Sequence, residues 1–271
     1  MREDAILSFT SHARRLPLVD EVFRSHVANA EAAGMRVCLA LQEDSVPAMT
    51  PYQRSLVDSG KIELLTIEKD HGSNTKWTLC RAKYPDATMV VVDDDRTYTD
   101  EALRELLYFH RMFPREFLCR AMRQLVWRDG RLRRYHLSKR EPDRATLYTS
   151  LSVPAPTILR PGDIVIEHWA GCLYPPGFPS PSAAAAEAAA LAPHDDDAFT
   201  TVLLARAGMS AVLVPTSTKL YETNLAAGDP RIHQTSLGRE NRDCGWTRTD
   251  AVLRACEDDL ALTGRDNVGQ V

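Results

Sequence analysis

The run Met89-Val90-Val91-Val92 constrains the fold of this chain more than any other feature. A continuous, mostly β-branched apolar run marks a strand covered on both faces, which occurs in parallel sheets packed by helices. The run ends abruptly in three adjacent aspartates, Asp93, Asp94 and Asp95. The chain before it repeats one grammar. Residues 5–9, 35–41 and 62–67 read as strands, and residues 17–33, 51–59 and 75–84 between them read as helices stopped by Gly34, Gly60 and Pro85. A helix over 99–112 follows, with Thr99 as N-cap and Asp100 and Glu101 in its first turn. Strand alternating with helix predicts an α/β fold with a mostly parallel sheet.

The second half is less regular. Residues 117–127 and 132–137 suggest mixed strands around a turn at Asp129-Gly130, and 164–169 is a further strand. Residues 175–181 are proline-rich loop. The alanine-rich stretch 182–191 reads as a short helix, with a flexible linker as the alternative. A helix over 195–207 opens on three more aspartates, 211–214 is a last core strand, and 265–271 is a frayed tail.

Composition excludes several classes. With 44% hydrophobic and 26% charged residues, the chain is a folded one that buries enough surface to need no disulfide or structural metal. A net charge of -4 lacks the basic footprint of a nucleic-acid binder. The stretch 128–144, with Arg131, Arg133, Arg134, Lys139 and Arg140, reads as a solvated hairpin or loop, or as a lip for an anionic acceptor or membrane surface. The six scattered cysteines form no C-x-x-C pair and fit a reducing cytoplasm. No stretch reaches the length of a membrane span, and the apolar run after the charged Met1-Arg2-Glu3-Asp4 is too short for a signal peptide. The expectation is a cytoplasmic protein without stable membrane insertion, meeting any lipid-linked acceptor at the inner face of the membrane.

In parallel sheets ligands collect at the carboxyl ends of the strands. Two polar clusters lie there, Thr10-Ser11-His12-Ala13-Arg14-Arg15 and Asp93-Asp94-Asp95. Adjacent carboxylates repel one another, and a hard divalent cation with oxygen ligands is the natural compensation. In extended backbone Asp93 and Asp95 point the same way and would flank one ion, with Asp94 facing elsewhere; an acidic turn capping the next helix is the alternative. The hydroxyls and guanidinium groups of 10–15 suit a base, ribose or phosphate, or else form an ordinary turn. Lys76, after the polar loop 70–75, is placed to pair with a phosphate or with the aspartates, a solvated lysine being the default. Trp169-Ala170-Gly171-Cys172-Leu173-Tyr174-Pro175-Pro176 offers aromatic faces to a sugar ring, or is a core edge turned by prolines. Asp195, Asp196 and Asp197 suit a helix N-terminus, and one of them also suits a general base.

Together these blocks resemble the family 2-like glycosyltransferases of bacterial surface polysaccharide synthesis, whose members carry "SxTSxxxR", a lysine before the fourth strand, "VDDDxxY", "GxLYPP" and "DD-I-W". This chain has Ser8 to Arg15, Lys76, Val92 to Tyr98, Gly171 to Pro176 and Asp196-Asp197-Ala198-Phe199 in the same order. The resemblance implies a single GT-A-like domain over 1–264, with a Rossmann-type nucleotide-sugar half at 1–98 and a mixed acceptor half at 99–264. It implies a metal-dependent, inverting enzyme acting on a nucleotide-sugar donor, most commonly a UDP-sugar, and a glycan or lipid-linked acceptor. Thr10, Ser11, Arg14, Arg15, Lys76, Asp93 and Asp94 would hold the donor. Asp93, Asp95 and a C-terminal His233 would bind Mn2+ or Mg2+, Asp196 or Asp197 would be the base, and Trp169, Gly171 and Tyr174 would meet the acceptor. Ala198 departs from the pattern, which carries a larger apolar residue there.

Three rivals remain. The series Asp93-Asp94-Asp95-Arg96-Thr97 also fits the D-x-D-x-T box of haloacid-dehalogenase-like, Mg2+-dependent phosphatases, with Asp93 as nucleophile and Asp95 as acid/base. That box normally opens a domain's first strand, whereas three strand candidates precede it here. A nucleotidyltransferase would need a glycine-rich loop after the first strand, and residues 8–15 contain no glycine. A non-catalytic nucleotide- or sugar-binding protein is the third.

Overall fold

The computed structural model describes residues 5–69, 71–125, 127–128, 131–132, 147–149, 153–179, 195–234, 249, 252–253 and 255–264. Its first half runs β1 (Ala5–Thr10), α1 (Asp20–Ala33), β2 (Arg36–Gln42), α2 (Pro51–Asp58), β3 (Glu63–Ile67), α3 (Thr75–Lys83), β4 (Thr88–Val91), β5 (Arg96–Tyr98) and α4 (Asp100–Met112). Then come β6 (Phe117–Cys119), β7 (Ala121–Gln124), β8 (Trp127–Arg128), β9 (Arg131–Leu132), β10 (Leu147–Thr149), β11 (Thr157–Leu159), β12 (Ile164–Ile166) and β13 (Cys172–Tyr174). The chain continues with α5 (Asp196–Ala207), β14 (Ala211–Leu213), β15 (Tyr221–Asn224), α6 (Leu225–Gly228), α7 (Pro230–Gln234) and α8 (Glu257–Gly264). The expected turn at Asp129-Gly130, most of the basic stretch 128–144, the alanine-rich stretch 182–191 and the tail 265–271 lie outside the described residues.

Eight strands form one sheet in the order β11-β14-β6-β13-β4-β1-β2-β3, so the fold is α/β with a mostly parallel sheet. Strands β3, β2, β1 and β4 are mutually parallel, and β13 enters antiparallel between β4 and β6. The β4 run is covered on both faces. Val90 and Val92 pack with Phe9, Phe23, Leu103 and Leu106 under α1 and α4, while Met89 and Val91 pack with Trp77, Phe199 and Leu204 under α3 and α5. Alternate residues of one strand thus feed two apolar layers, which is why no polar residue interrupts it.

Two local signals act as expected from their chemistry. Gly34 closes α1 in the left-handed region at φ 75°. The Thr99 hydroxyl accepts from Ala102 N at 3.1 Å and starts α4. Two expectations need correcting. The strand over 117–127 breaks at Arg120, so that β6 joins the large sheet and β7 a three-stranded one. Arg120 is buried at that break and donates to the Ala102 carbonyl at 2.6 Å and to Glu105 at 3.1 Å. The strand over 164–169 stops at Ile166, after which His168–Ala170 form a tight 3₁₀ turn. Among the described residues no helix is long and apolar enough to cross a membrane.

Candidate active site

The site grows from the carboxyl end of β4. Val92 N donates to the Ser8 carbonyl at 3.1 Å, which keeps β1 and β4 together up to the point where the aspartates begin. From there each carboxylate finds its own cation. Asp93 receives Lys76 Nζ at 2.8 Å and Arg96 Nη1 at 3.1 Å. Asp94 is buried against the Arg15 guanidinium. Asp95 receives Arg96 Nη1 at 3.0 Å. Where the sequence leads to the expectation of a metal ion beside this triplet, two arginines and a lysine of the chain itself also supply positive charge. The helix-cap alternative is corrected, because Thr99 caps α4.

These pairings decide the protonation states. Burial works to raise the Asp93 pKa, but Lys76 and Arg96 outweigh it and hold the group ionised. Burial lifts Asp95 to about 6, with the charges of Asp93 and Asp94 adding to the rise and Arg96 opposing it. Lys76, only 3% exposed, stays charged because Asp196 and Asp93 overcome the cost of its burial.

The second aspartate run sits at the start of α5. Asp195 is its N-cap, accepting from Ala198 N at 3.0 Å and from the Thr249 hydroxyl. Asp196 turns to Lys76 Nζ at 2.6 Å and lies 3.4 Å from His168 Nδ1. Asp197 accepts from the His168 backbone N–H at 2.8 Å and faces His168 Nδ1 at 2.7 Å. His168 Nε2 meets the Tyr174 hydroxyl at 2.7 Å, and that hydroxyl meets Thr200 at 2.9 Å. Burial lowers the His168 pKa to about 4, so the neutral ring donates from Nδ1 to Asp197 and accepts from Tyr174 at Nε2. Lys76, fixed in the first turn of α3, thus ties the two aspartate runs into one cluster.

The remaining expected residues are distributed as follows. The Thr10 hydroxyl donates to the Ala40 carbonyl at 2.6 Å, the Ser11 hydroxyl is buried without a partner, and Arg14 is exposed. Trp169 is half-buried beside the cluster, with Arg96 5.6 Å from its ring and its N–H on Glu167 at 3.0 Å. Gly171 has φ 82°, a conformation that favours glycine at this turn. Tyr174 is a correction: fully buried on β13, it stacks on Trp77 at 5.5 Å and packs on Phe117 and Phe178, with no face left for a sugar. His233 is exposed on α7.

Among the described residues the group able to offer three metal ligands is His168, Asp196 and Asp197, whose ligand atoms lie within 4.8 Å of one another. A ring nitrogen and two carboxylates suit Mn2+ better than Mg2+. In the arrangement seen Asp196 Oδ2 lies 2.6 Å from the Lys76 ammonium and Asp197 faces His168, so an ion bound here would compete with these groups for its ligands. His168, Arg96 and Tyr98 were missed as site residues. Tyr98, whose hydroxyl donates to the Trp169 carbonyl at 2.8 Å, and Arg96 both stand inside the "VDDDxxY" block; His168 had only its place beside Trp169 as a signal.

No protein-family model matches this chain, and no curated protein matches it. Three solved structures overlap it in outline. An apo UDP-glucose pyrophosphorylase covers 89% of this chain and 100% of its own at 8% identity, with a TM-score of 0.48. A UDP-glucose pyrophosphorylase complexed with UDP-glucose covers 89% and 99% at 8% identity, with a TM-score of 0.45. A UTP-bound UGPase from Acinetobacter baumannii covers 90% and 98% at 8% identity, with a TM-score of 0.46. At such scores and identities none of these overlaps bears on ligand or reaction.

Proposed function

We propose that this chain is a glycosyltransferase that moves a sugar from a nucleotide diphosphate-sugar to a hydroxyl acceptor, with inversion at the anomeric carbon. A UDP-sugar is the donor of first choice and a glycan or lipid-linked alcohol the acceptor. The observation that carries the reading is the Lys76 bridge: one buried ammonium draws Asp93 and Asp196 together at the carboxyl side of the parallel strands, where α/β sheets bind nucleotides.

In this reading the half 1–98 holds the donor and the half 99–264 the acceptor. Arg14, exposed, and Ser11, whose hydroxyl lacks a partner, face the donor. The two carboxylates opposite divide the labour. Burial works to raise the Asp196 pKa, but Lys76 prevails and holds it below the ordinary range, so Asp196 is an anchor. Burial, reinforced by Asp196, Glu167 and Asp195, pushes Asp197 up, and its side chain is 31% exposed against 12% for Asp196. Environments that separate neighbouring carboxyl groups in this way mark the proton acceptor, so Asp197 is the base that takes the acceptor proton as its oxygen attacks. One base with in-line attack inverts the centre.

The test is release of nucleoside diphosphate from a panel of nucleotide-sugars with simple sugar acceptors, followed by NMR of the product's anomeric proton. Retained configuration would refute the single-base mechanism, and no turnover with any donor would refute the assignment. The phosphatase reading makes the opposite prediction, phosphomonoester hydrolysis with Mg2+ that is lost on Asp93→Asn. It is disfavoured by the place of β4, which is the fourth strand in the chain and has the antiparallel β13 at its side.

A further inference from the structure

Arg96 has no part in the mechanism above, yet it is tightly committed within the site. Its guanidinium reaches Asp93 Oδ2 at 3.1 Å and Asp95 Oδ1 at 3.0 Å, both through Nη1. Those are the two carboxylates, two residues apart, that the family resemblance assigns to a divalent ion. The side chain is held in place by its surroundings. Strand β5, which carries it, pairs with β15, where Arg96 lies opposite Asn224. The Trp169 ring centre is 5.6 Å from the guanidinium carbon and that of Tyr221 is 5.8 Å. Only 14% of the side chain is exposed. Two carboxylates and two aromatic faces fix a guanidinium in one plane.

Resting on the glycosyltransferase reading, we propose that Arg96 is a built-in cation that takes the place of a divalent ion between Asp93 and Asp95 and recognises the diphosphate of the donor. Each carboxylate of the triplet already meets a cation of the chain: Lys76, shared with Asp196, on Asp93, Arg15 on Asp94, and Arg96 on both Asp93 and Asp95. An ion between Asp93 and Asp95 would have to displace Nη1 from both carboxylates and then face the displaced guanidinium at close range. Both contacts use Nη1, which leaves Nη2 without an acceptor among the described residues, while Nε is buried from solvent. A charged guanidinium N–H at Nη2 is a donor that a phosphate oxygen accepts from.

The decisive experiment titrates Mn2+ alone into the full chain, followed by electron paramagnetic resonance. The wild type and Asp95→Asn should bind the same number of ions. Arg96→Met should gain one ion, which Asp95→Asn removes in that background. A wild-type ion lost on Asp95→Asn overturns the proposal. This comparison stands even if Arg96→Met does not fold. In parallel, UDP and inorganic pyrophosphate are titrated in EDTA and in Mn2+ by calorimetry. The wild type should bind UDP equally in both, and Arg96→Met should weaken it about ten- to hundredfold in EDTA. Wild-type UDP binding that requires Mn2+ overturns the proposal. Pyrophosphate binding as tight as UDP would show that the phosphates alone are read. If no nucleoside diphosphate or pyrophosphate binds under either condition, the diphosphate role of Arg96 falls together with the transferase assignment. The Mn2+ titration still decides separately whether Arg96 fills the ion's place.

Discussion

Two runs of three aspartates meet across Lys76, and the protein stabilises them by different physics. The run after β4 is neutralised by side-chain cations, one for each carboxylate, with Arg96 shared between Asp93 and Asp95. The run at the start of α5 uses one cation only. Its other carboxylates rest on a helix N-terminus, a threonine hydroxyl and a neutral histidine. The first run is held by ion pairs, although burial lifts Asp95 to about 6. The second has a member whose proton affinity is raised by crowding, which is what proton transfer needs.

The sharpest way to break that contrast is to neutralise one member of each run. Asp197→Asn should lower turnover about 10²- to 10⁴-fold, the usual contribution of a positioned base, with a nearly unchanged melting temperature. Nucleoside diphosphate release at saturating donor measures it. A loss of less than tenfold would move the base elsewhere. Next in size is the tie itself. Lys76→Met leaves Asp93 and Asp196 facing each other without their shared cation, and breaking a buried pair from one side costs about 3–5 kcal/mol. Urea unfolding gives this value. Adding Asp196→Asn to Lys76→Met should recover part of the loss, because coupled neighbours are not additive. Strict additivity would mean that the two residues do not interact.

The extent to which this was legible in the sequence follows the range of each interaction. The strands and helices up to residue 112 were readable because hydrophobic period and end signals are local, as at Gly34 and Thr99. The placement of the first aspartates at a strand end was readable for the same reason. Their partners were not. Arg15 lies 79 positions from Asp94, Lys76 lies 17 from Asp93, and His168 lies 29 from Asp197. Lys76 pairs with the aspartates, as one reading of the sequence had it, whereas Arg15 and Arg96 were not read as their partners. Tyr174 was misplaced because Gly-Cys-Leu-Tyr-Pro-Pro has the same composition as a sugar-stacking loop and as a core strand. The decision came from the antiparallel insertion of β13 between β4 and β6, a pairing no local pattern reports.

Acid titration sharpens the comparison from a third residue. His26 is fully buried with Nε2 3.2 Å from the Asp93 carbonyl, and burial lowers its pKa to about 4. Its unfolded value is about 6.5, so between these values the unfolded chain binds the extra proton. The contribution of His26 is complete above the unfolded value and is lost as pH falls toward the folded one, with a slope of at most about 1.4 kcal/mol per pH unit. Asp95 and Asp195, both raised to about 6, act with the opposite sign: the folded state holds their protons longer, so stability falls as pH rises through that window. Between pH 4 and 6.5 the stability lead of the wild type over His26→Gln, read from urea midpoints, should therefore grow as pH rises, at up to about 1.4 kcal/mol per pH unit. A lead that does not change with pH would show that His26 is not desolvated.

The smallest expected effect isolates the helix terminus from the charge. Asp195 works through an oxygen that accepts from Ala198 N and a second that accepts from Thr249. Asparagine keeps an acceptor for Ala198 N, and its amide reaches Thr249 as a donor, so Asp195→Asn should change stability by less than about 0.5 kcal/mol. Asp195→Ala removes both bonds and should cost about 1–2 kcal/mol. The same pair of changes at Asp94 should behave differently, because its Arg15 partner needs a charge: Asp94→Asn there should already cost most of what Asp94→Ala costs. Chemical denaturation of the four variants measures the contrast. Equal tolerance of asparagine at Asp94 and Asp195 would mean that the two runs are held by the same interaction, and the division between a charge-paired run and a capping run would fail.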